Sequence, residues 1–504
     1  MMFSINIQSA WLGLALFSQL GASSIVCDEL NSIYKISQLL PLTSAFDTEQ
    51  SHYWSKGASS LKPDCIVTPA TTDEVVSVVK TLRNTTENFA IKSGGHNPNN
   101  YFSSIQGGAL ISTLKLNEVK LDKEAETVRI GPGNRWDEVG KKLEGTGYTV
   151  VGGRIGNVGV GGYMLGGGLS FMSSEYGWAA NSVVEYELVL ANATVITVSE
   201  ASNPDLFTVL KGGGNNYGII TAFVVRAYPQ GKVWGGSLFF NAADGTNKAL
   251  LAAVNKFTLN YPDPKAGIIM TAELSASGII NNWIMFLYYN GPTPPAGVFD
   301  DFLAAKPFLN TCKTQSYSAL LSGNNWAVLK GSIYTIATET VPLNPGNATA
   351  SLDLLQSVYA HWKKISWDVQ LQAGLVSSIA FQPMPRSMAR IAREKGGDLY
   401  DFDDDADLII IELNISYWSK SSTNTVDSAL QKIYGGIRDR VVDFQSRGLA
   451  PDAYLPLFVN DAYYRQDVWG RLKPERRALA AEMRDVMDPD RLWADRTGGF
   501  KFNN

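Results

Sequence analysis

Short apolar, β-branched runs alternate with stretches of helical spacing from residue 63 to about 230. Cys65-Ile66-Val67 reads as a strand, and Thr72-Asp73-Glu74 opens an amphipathic helix carrying Val75, Val76, Val79 and Leu82. Residues 89–92, 109–112 and 128–130 predict further strands, and 135–143 a helix. Residues 183–190 and 195–198 predict strands joined by a turn at Asn192, followed by a helix over 204–210 and a strand over 219–227. Beyond residue 231 the runs become aromatic and alternate, as in 283–289 and 408–418, with helices such as 350–364 between them. That pattern predicts an antiparallel sheet backed by helices. Along 408–418 it places Ile410, Glu412, Asn414, Ser416 and Trp418 on one face. Ile409, Ile411, Leu413, Ile415 and Tyr417 share the other, helix-packed face. Residues 457–459 predict a short strand, and 473–487 a helix that stops at Asp488-Pro489. The whole reads as an α+β chain of 504 residues, too long for one core.

The chemistry concentrates where the strand over 89–92 ends. Ser93-Gly94-Gly95-His96 holds one of only three histidines. Two adjacent glycines let backbone N–H groups come close to a phosphate, and the imidazole beside them is placed to meet the same ligand. A second cluster runs Gly152-Gly153-Arg154-Ile155-Gly156-Asn157-Val158-Gly159-Val160-Gly161-Gly162 and on to Gly166-Gly167-Gly168. A third is Lys211-Gly212-Gly213-Gly214-Asn215-Asn216-Tyr217-Gly218. Together they point to a phosphate-bearing cofactor. No G-x-G-x-x-G follows a strand, and neither G-x-x-x-x-G-K-[ST] nor G-x-S-x-G occurs. Rossmann, P-loop and α/β-hydrolase sites are therefore unsupported.

Apolar residues at 45% and charged residues at 18% suit an ordinary globular protein, and a net charge of −5 argues against nucleic acid as a partner. Residues 1–23 read as a secretory signal, since the apolar stretch 10–22 precedes small residues and is too short to span a bilayer. The expectation is a secreted protein with no membrane partner. Sequons at Asn84, Asn192, Asn347 and Asn414 are candidate glycosylation sites. Cys27 lies just past the signal, and a Cys27–Cys65 disulfide would pin that end, leaving Cys312 as a buried free thiol. Three cysteines and three scattered histidines make no zinc set, so no metal is expected. His361 reads as structural, and His52 has no evident role.

Ile91-Lys92-Ser93-Gly94-Gly95-His96, Val158-Gly159-Val160-Gly161-Gly162 with Gly166-Gly167-Gly168, and Gly212-Gly213-Gly214-Asn215-Asn216-Tyr217-Gly218 together resemble the FAD-binding PCMH-type domain. From about residue 50 to 500 the chain resembles the berberine-bridge-enzyme-like branch of the vanillyl-alcohol-oxidase superfamily, closest to its secreted fungal members. The resemblance implies a two-subdomain FAD-binding domain over 60–230 and a substrate-binding domain over 231–450. A C-terminal segment, 451–504, would return to the FAD domain. It implies FAD bonded covalently through its 8α-methyl to His96. Ser93, Gly94, Gly95, Asn97, Val158, Gly159, Gly161, Gly162, Gly167, Gly168, Gly218, Ile219 and Asn460 would bind the cofactor with it. Many relatives add a second link through a Cys three residues before V-G-x-G-G. Here that position is Ile155, so a single link is implied, which weighs against a carbohydrate oxidase. Lys92 stands where the family usually has Arg.

In the family, a substrate C–H gives hydride to the flavin and O₂ usually reoxidises it, while the protein supplies orientation and a base. The tyrosine that relatives often place in Y-x-N-Y is Asp461 here. Asp461 is either a base or a cap on its own backbone. Glu412 is either a base or, if Asn414 carries a glycan, an ordinary surface charge. Tyr417 is either a phenolic base or a core side chain. The leading expectation is a secreted, monomeric FAD-dependent oxidase of a small alcohol, phenolic or other secondary-metabolite substrate. The competing readings are an oligosaccharide oxidase and a flavin-binding protein without turnover.

Overall fold

Buried β-branched runs build the first layer of the computed structural model, which describes residues 24–275 and 278–502. The expected signal, residues 1–23, lies outside the described residues. Cys65–Val67, Ala109–Ser112 and Phe89–Lys92 pair in parallel, with Gln38–Leu39 antiparallel at the edge. Parallel strands need covered faces, and helix Thr72–Arg83 supplies Val75, Val78, Val79 and Leu82. Its N-cap is Thr71, one residue ahead of the expected start. The Thr71 hydroxyl accepts the Glu74 N–H at 3.2 Å, while the Glu74 carboxylate accepts the Ala70 N–H at 2.7 Å.

A second sheet of five antiparallel strands follows the order Val119–Asp122, Thr127–Ile130, Ile219–Arg226, Val183–Val189 and Val195–Val198. The third sheet is the largest and antiparallel throughout. Its order is Leu309–Asn310, Val233–Asn241, Ile280–Tyr289, Ala266–Ser275, Val376–Met384, Asp407–Tyr417 and Ile333–Leu343, with Lys313–Gln315 also pairing to Val233–Asn241. Helices Asp244–Leu259, Ala348–Val369 and Thr423–Ser446 pack on one face of it. The opposite face is left for a ligand. The mixed α+β architecture is the one the patterning predicts.

The N-terminal arm is tied down twice. Cys27 and Cys65 form the expected disulfide across 38 positions. Loop entropy for that separation predicts that Cys27→Ala/Cys65→Ala loses about 4 kcal/mol of stability, to be read from the denaturant midpoint. Deeper in the arm, Glu49 forms a buried ion pair with Lys92, Nζ to Oε1 at 2.5 Å. Cys312 is free but only half-buried, and burial pushes its thiol up to about 12.

The C-terminal segment reaches back to the first sheet. Trp493 packs edge-on to Phe89, and Arg496 donates to the Leu82, Thr85 and Glu87 carbonyls. Residues 457–459 do not form the expected strand. The Pro456 carbonyl accepts from the Thr340 hydroxyl at 2.6 Å and the Val459 N–H donates to the Tyr400 hydroxyl at 3.1 Å. With side chains taking its backbone groups, the apolar run ends in a 3-10 turn, Val459–Asp461.

Candidate active site

One cavity of about 500 Å³ lies between the glycine-rich loops and the open face of the large sheet. All three glycine clusters and the C-terminal segment contribute to its lining.

At one end, strand Phe89–Lys92 delivers Ser93 to Asn97 into the wall. The two main glycine loops touch backbone to backbone: a Cβ on Gly94 would lie 2.5 Å from the Gly159 Cα. Gly95 adopts φ +68°, which favours glycine. The N–H groups of Gly94, Gly95, His96 and Asn97 meet no acceptor among the described residues. Four consecutive free donors on a cavity wall fit a pyrophosphate, whereas buried backbone donors are ordinarily satisfied. Gly162, also on the wall, has no atom within 4 Å of where a Cβ would stand. These residues fit FAD. Gly94→Ala would press its Cβ into the Gly159 backbone and is therefore expected to push the two loops apart and bind little flavin, seen as a fall in flavin absorbance relative to protein absorbance.

Other predicted cofactor residues play different parts. Val158, Gly159, Gly161, Gly218, Ile219 and Asn460 line the cavity. Ser93 uses its hydroxyl to staple loops, donating to the Pro132 carbonyl at 2.6 Å and accepting the Gly161 N–H at 3.1 Å. Gly167 and Gly168 do not line the cavity. They turn the chain against the Tyr400 and Tyr163 rings, and the Asn460 amide joins the Gly168 N–H to the Gly162 carbonyl. Asn97 spends its side-chain oxygen on the Asn99 N–H.

His96 faces the cavity with neither ring nitrogen hydrogen-bonded among the described residues. Burial, with the Arg135 charge adding to it, lowers its pKa to about 3, so the imidazole is neutral and its lone pair free. Arg135 itself donates to the Gly94 carbonyl at 2.7 Å, the His52 carbonyl at 3.1 Å and the Asn157 carbonyl. Trp54 lies flat on the His96 ring, 4.5 Å between centroids.

The other wall is the sheet. Ile336, Asn414, Ser378 and Glu273 stand in register across four neighbouring strands, and one row along come Thr338, Glu412, Ala380 and Thr271. Glu412, Asn414 and Ser416 all line the cavity, as alternation predicts. Two open alternatives are decided here: Tyr417 is a core side chain and not a base, and Asn414 faces the cavity and not solvent. Tyr417 points to the helix side, where its hydroxyl meets Thr423 at 3.2 Å, so it does not reach the cavity. Asn414 is a mid-strand residue whose side chain lies inside the cavity, where a glycan would have to fill the site. Asn84, Asn192 and Asn347 are exposed at a helix C-cap, a strand turn and a helix N-cap.

Asp461 caps nothing on its own backbone. Its carboxylate accepts from Gln382 Nε2 at 3.2 Å, and Gln382 in turn accepts from Arg154. Burial pushes Asp461 up against the pull of Arg154 and Gln382. Glu412 is pushed up further, by burial and then by the Asp461 charge, with Arg154 opposing. Glu273 is raised by burial alone. The pattern did not single out Arg154, Gln382, Tyr163, Glu273, Tyr334 or Trp54. A charge inside a glycine cluster marks Arg154, and period-2 alternation from Thr271 marks Glu273; nothing local marks Trp54.

Comparison with known proteins agrees with this geometry. A family model described as the FAD binding domain matches residues 63–199. An uncharacterized FAD-linked oxidoreductase of Arthroderma benhamiae is 41% identical over 466 residues, covering 92% of each chain. The FAD-dependent monooxygenase drtC of Aspergillus calidoustus is 30% identical over 91% of this chain and 86% of its own. The structure of berberine bridge enzyme from Eschscholzia californica superposes with a TM-score of 0.72 at 18% identity, covering 94% of this chain and 98% of that one. With its fold and its relatives in agreement, the chain belongs to the FAD-linked oxidoreductases and shares the fold of berberine bridge enzyme.

Proposed function

We propose that this protein is a secreted oxidase that holds FAD by one covalent bond, at His96, and oxidises a small organic substrate, an alcohol or phenol of secondary metabolism, with O₂ as acceptor. One observation carries the reading: a single cavity has, at the glycine-loop end, a neutral histidine with no hydrogen bond from the described residues and, on the sheet side, the buried carboxyls of Glu412 and Asp461. Bound FAD would supply the hydride acceptor. The N–H groups of residues 94–97 would hold its pyrophosphate and His96 would anchor it. The Asp461 charge helps burial to hold the Glu412 proton, and once that proton is lost the Glu412 carboxylate accepts the substrate hydroxyl proton as the neighbouring C–H is oxidised. Arg154, through Gln382, keeps Asp461 the more acidic partner, which leaves Glu412 the stronger base. Apolar residues such as Ile269, Ile284, Phe286 and Trp326 line the cavity and suit an aromatic or aliphatic body.

Ile155 lines the cavity where a second link would need a thiol, which supports a single bond and disfavours a sugar oxidase. The disulfide and the three exposed sequons support secretion, and no described helix is long and apolar enough to cross a membrane. The test is a substrate panel of benzylic alcohols, phenols and xylobiose, read anaerobically by flavin bleaching and in air by hydrogen peroxide. Bleaching and peroxide with an alcohol or phenol are expected. Turnover of xylobiose alone would establish the sugar-oxidase reading instead, and no bleaching with any compound would favour a flavin-binding protein without turnover.

A further inference from the structure

Covalent attachment asks more of a histidine than a free lone pair; the ring must also be aimed. His96 sits in an irregular loop after a left-handed glycine, and no hydrogen bond from the described residues fixes its ring. What fixes it is a stack of three rings. Trp54 lies 4.5 Å from His96 with planes 6° apart, and Tyr334 lies 4.3 Å behind Trp54 at 28°. Trp54 is itself clamped. Its backbone N–H donates to the Gly95 carbonyl at 3.1 Å, and its side chain is buried. The neighbouring Ser55 hydroxyl accepts the Tyr334 N–H at 3.0 Å, and the Lys56 N–H donates to the Ser332 carbonyl at 2.8 Å. The arm around residue 54 thus joins the His96 loop to the Ile333–Leu343 strand. Trp54 also lies ahead of the 63–199 segment that defines the FAD-binding domain.

We infer that Trp54 is a positioning residue for flavin attachment, setting the plane of the His96 imidazole so that its in-plane lone pair points into the cavity. The inference rests on the reading of His96 as the linking residue. Attachment forms one bond between an imidazole nitrogen and the flavin 8α carbon and removes one hydrogen from each. The two electrons left on the flavin pass to O₂, which takes up the two protons and leaves as hydrogen peroxide. A lone pair lies in the ring plane, so a ring free to rotate loses the aligned geometry on which such reactions depend.

The experiment compares wild type, Trp54→Ala, Trp54→Leu, Trp54→Phe and His96→Ala as purified holoproteins. Flavin is separated after acid denaturation into protein-bound and released fractions, and thermal unfolding is recorded for each. Trp54→Ala and Trp54→Leu are expected to hold FAD but to show a bound-to-released ratio lower by about tenfold, the scale of one ring stack. Trp54→Phe should restore the ratio. A purely structural role would lower total flavin and unfolding temperature in all three Trp54 variants without moving the ratio, and that result overturns the inference. Trp54→Leu decides the matter if Trp54→Ala does not fold. A wild type that releases all its flavin would overturn the His96 linkage itself, whereas a covalent wild type with an equally covalent Trp54→Ala would overturn only the role of Trp54.

Discussion

Glu412→Gln is expected to cut the rate of flavin reduction by about 10²–10⁴-fold while leaving fold and flavin content intact. The amide keeps the shape of the side chain and removes its ability to accept a proton. Stopped-flow reduction under anaerobic conditions, with whichever panel compound is oxidised fastest, measures this directly. The wild-type rate should rise with pH as Glu412 gives up the proton that burial and the Asp461 charge hold on it, and the variant should lose that dependence. Stability moves the opposite way. Burial, with Asp461 beside it, raises Glu412 above the ordinary carboxylate range, so the folded state holds this proton more tightly than the unfolded chain does. Folding stability is therefore lost as pH rises from the ordinary carboxylate range through the raised value. Glu412→Gln removes that loss and should unfold at a higher temperature than wild type in alkaline buffer. A variant that is both slower and more stable is the signature of a buried group kept for chemistry. Unchanged reduction in Glu412→Gln would shift the base role to Asp461, and the same experiment with Asp461→Asn would then be decisive.

Lys92→Met should be the most destabilising single change near the site, costing about 3–5 kcal/mol through an orphaned buried charge. Lys92 and Glu49 have side chains 1% and 4% exposed. Burial pushes Glu49 up, but hydrogen bonds from His52, Lys92 and Ser112, together with the Lys92 charge, outweigh it and hold the carboxyl at about 2. Burial lowers the Lys92 pKa, and Glu49 offsets that only in part. The Glu49 contribution is present above the ordinary carboxylate range and is lost as pH falls towards 2. The gap between wild type and Lys92→Met in denaturant unfolding should accordingly narrow in acid. Lys92→Met combined with Glu49→Gln should recover a good part of the loss, because no buried charge is left unpaired.

The cofactor cradle was readable because its signals are local: three glycine clusters and a histidine, each within a few residues. The sheet floor was readable for a different reason. Period-2 alternation in 408–418 assigns Glu412, Asn414 and Ser416 to one face and Tyr417 to the other, and the structure keeps that assignment. Alternation fixes a face but not what covers it, so Asn414 read equally well as a glycan acceptor. The disulfide followed from where Cys27 falls in the chain. What escaped depends on long-range geometry. The Arg154–Gln382–Asp461 chain spans 228 and 79 positions, and Lys92–Glu49 spans 43. Trp54 is one aromatic in an irregular segment, and only the fold brings it onto His96. The 457–459 run misled because an apolar triplet buried by side-chain hydrogen bonds looks, in sequence, like one buried by a ladder.

The central claim is that one covalent bond, at His96, joins FAD to this chain. Proteolysis of acid-denatured wild type, followed by mass spectrometry of the flavin-bearing peptides, tests it most directly, with His96→Ala as the control. A single flavinylated peptide containing His96, absent from His96→Ala, is the predicted result. Free flavin from the wild type, or flavin retained covalently by His96→Ala, would contradict it.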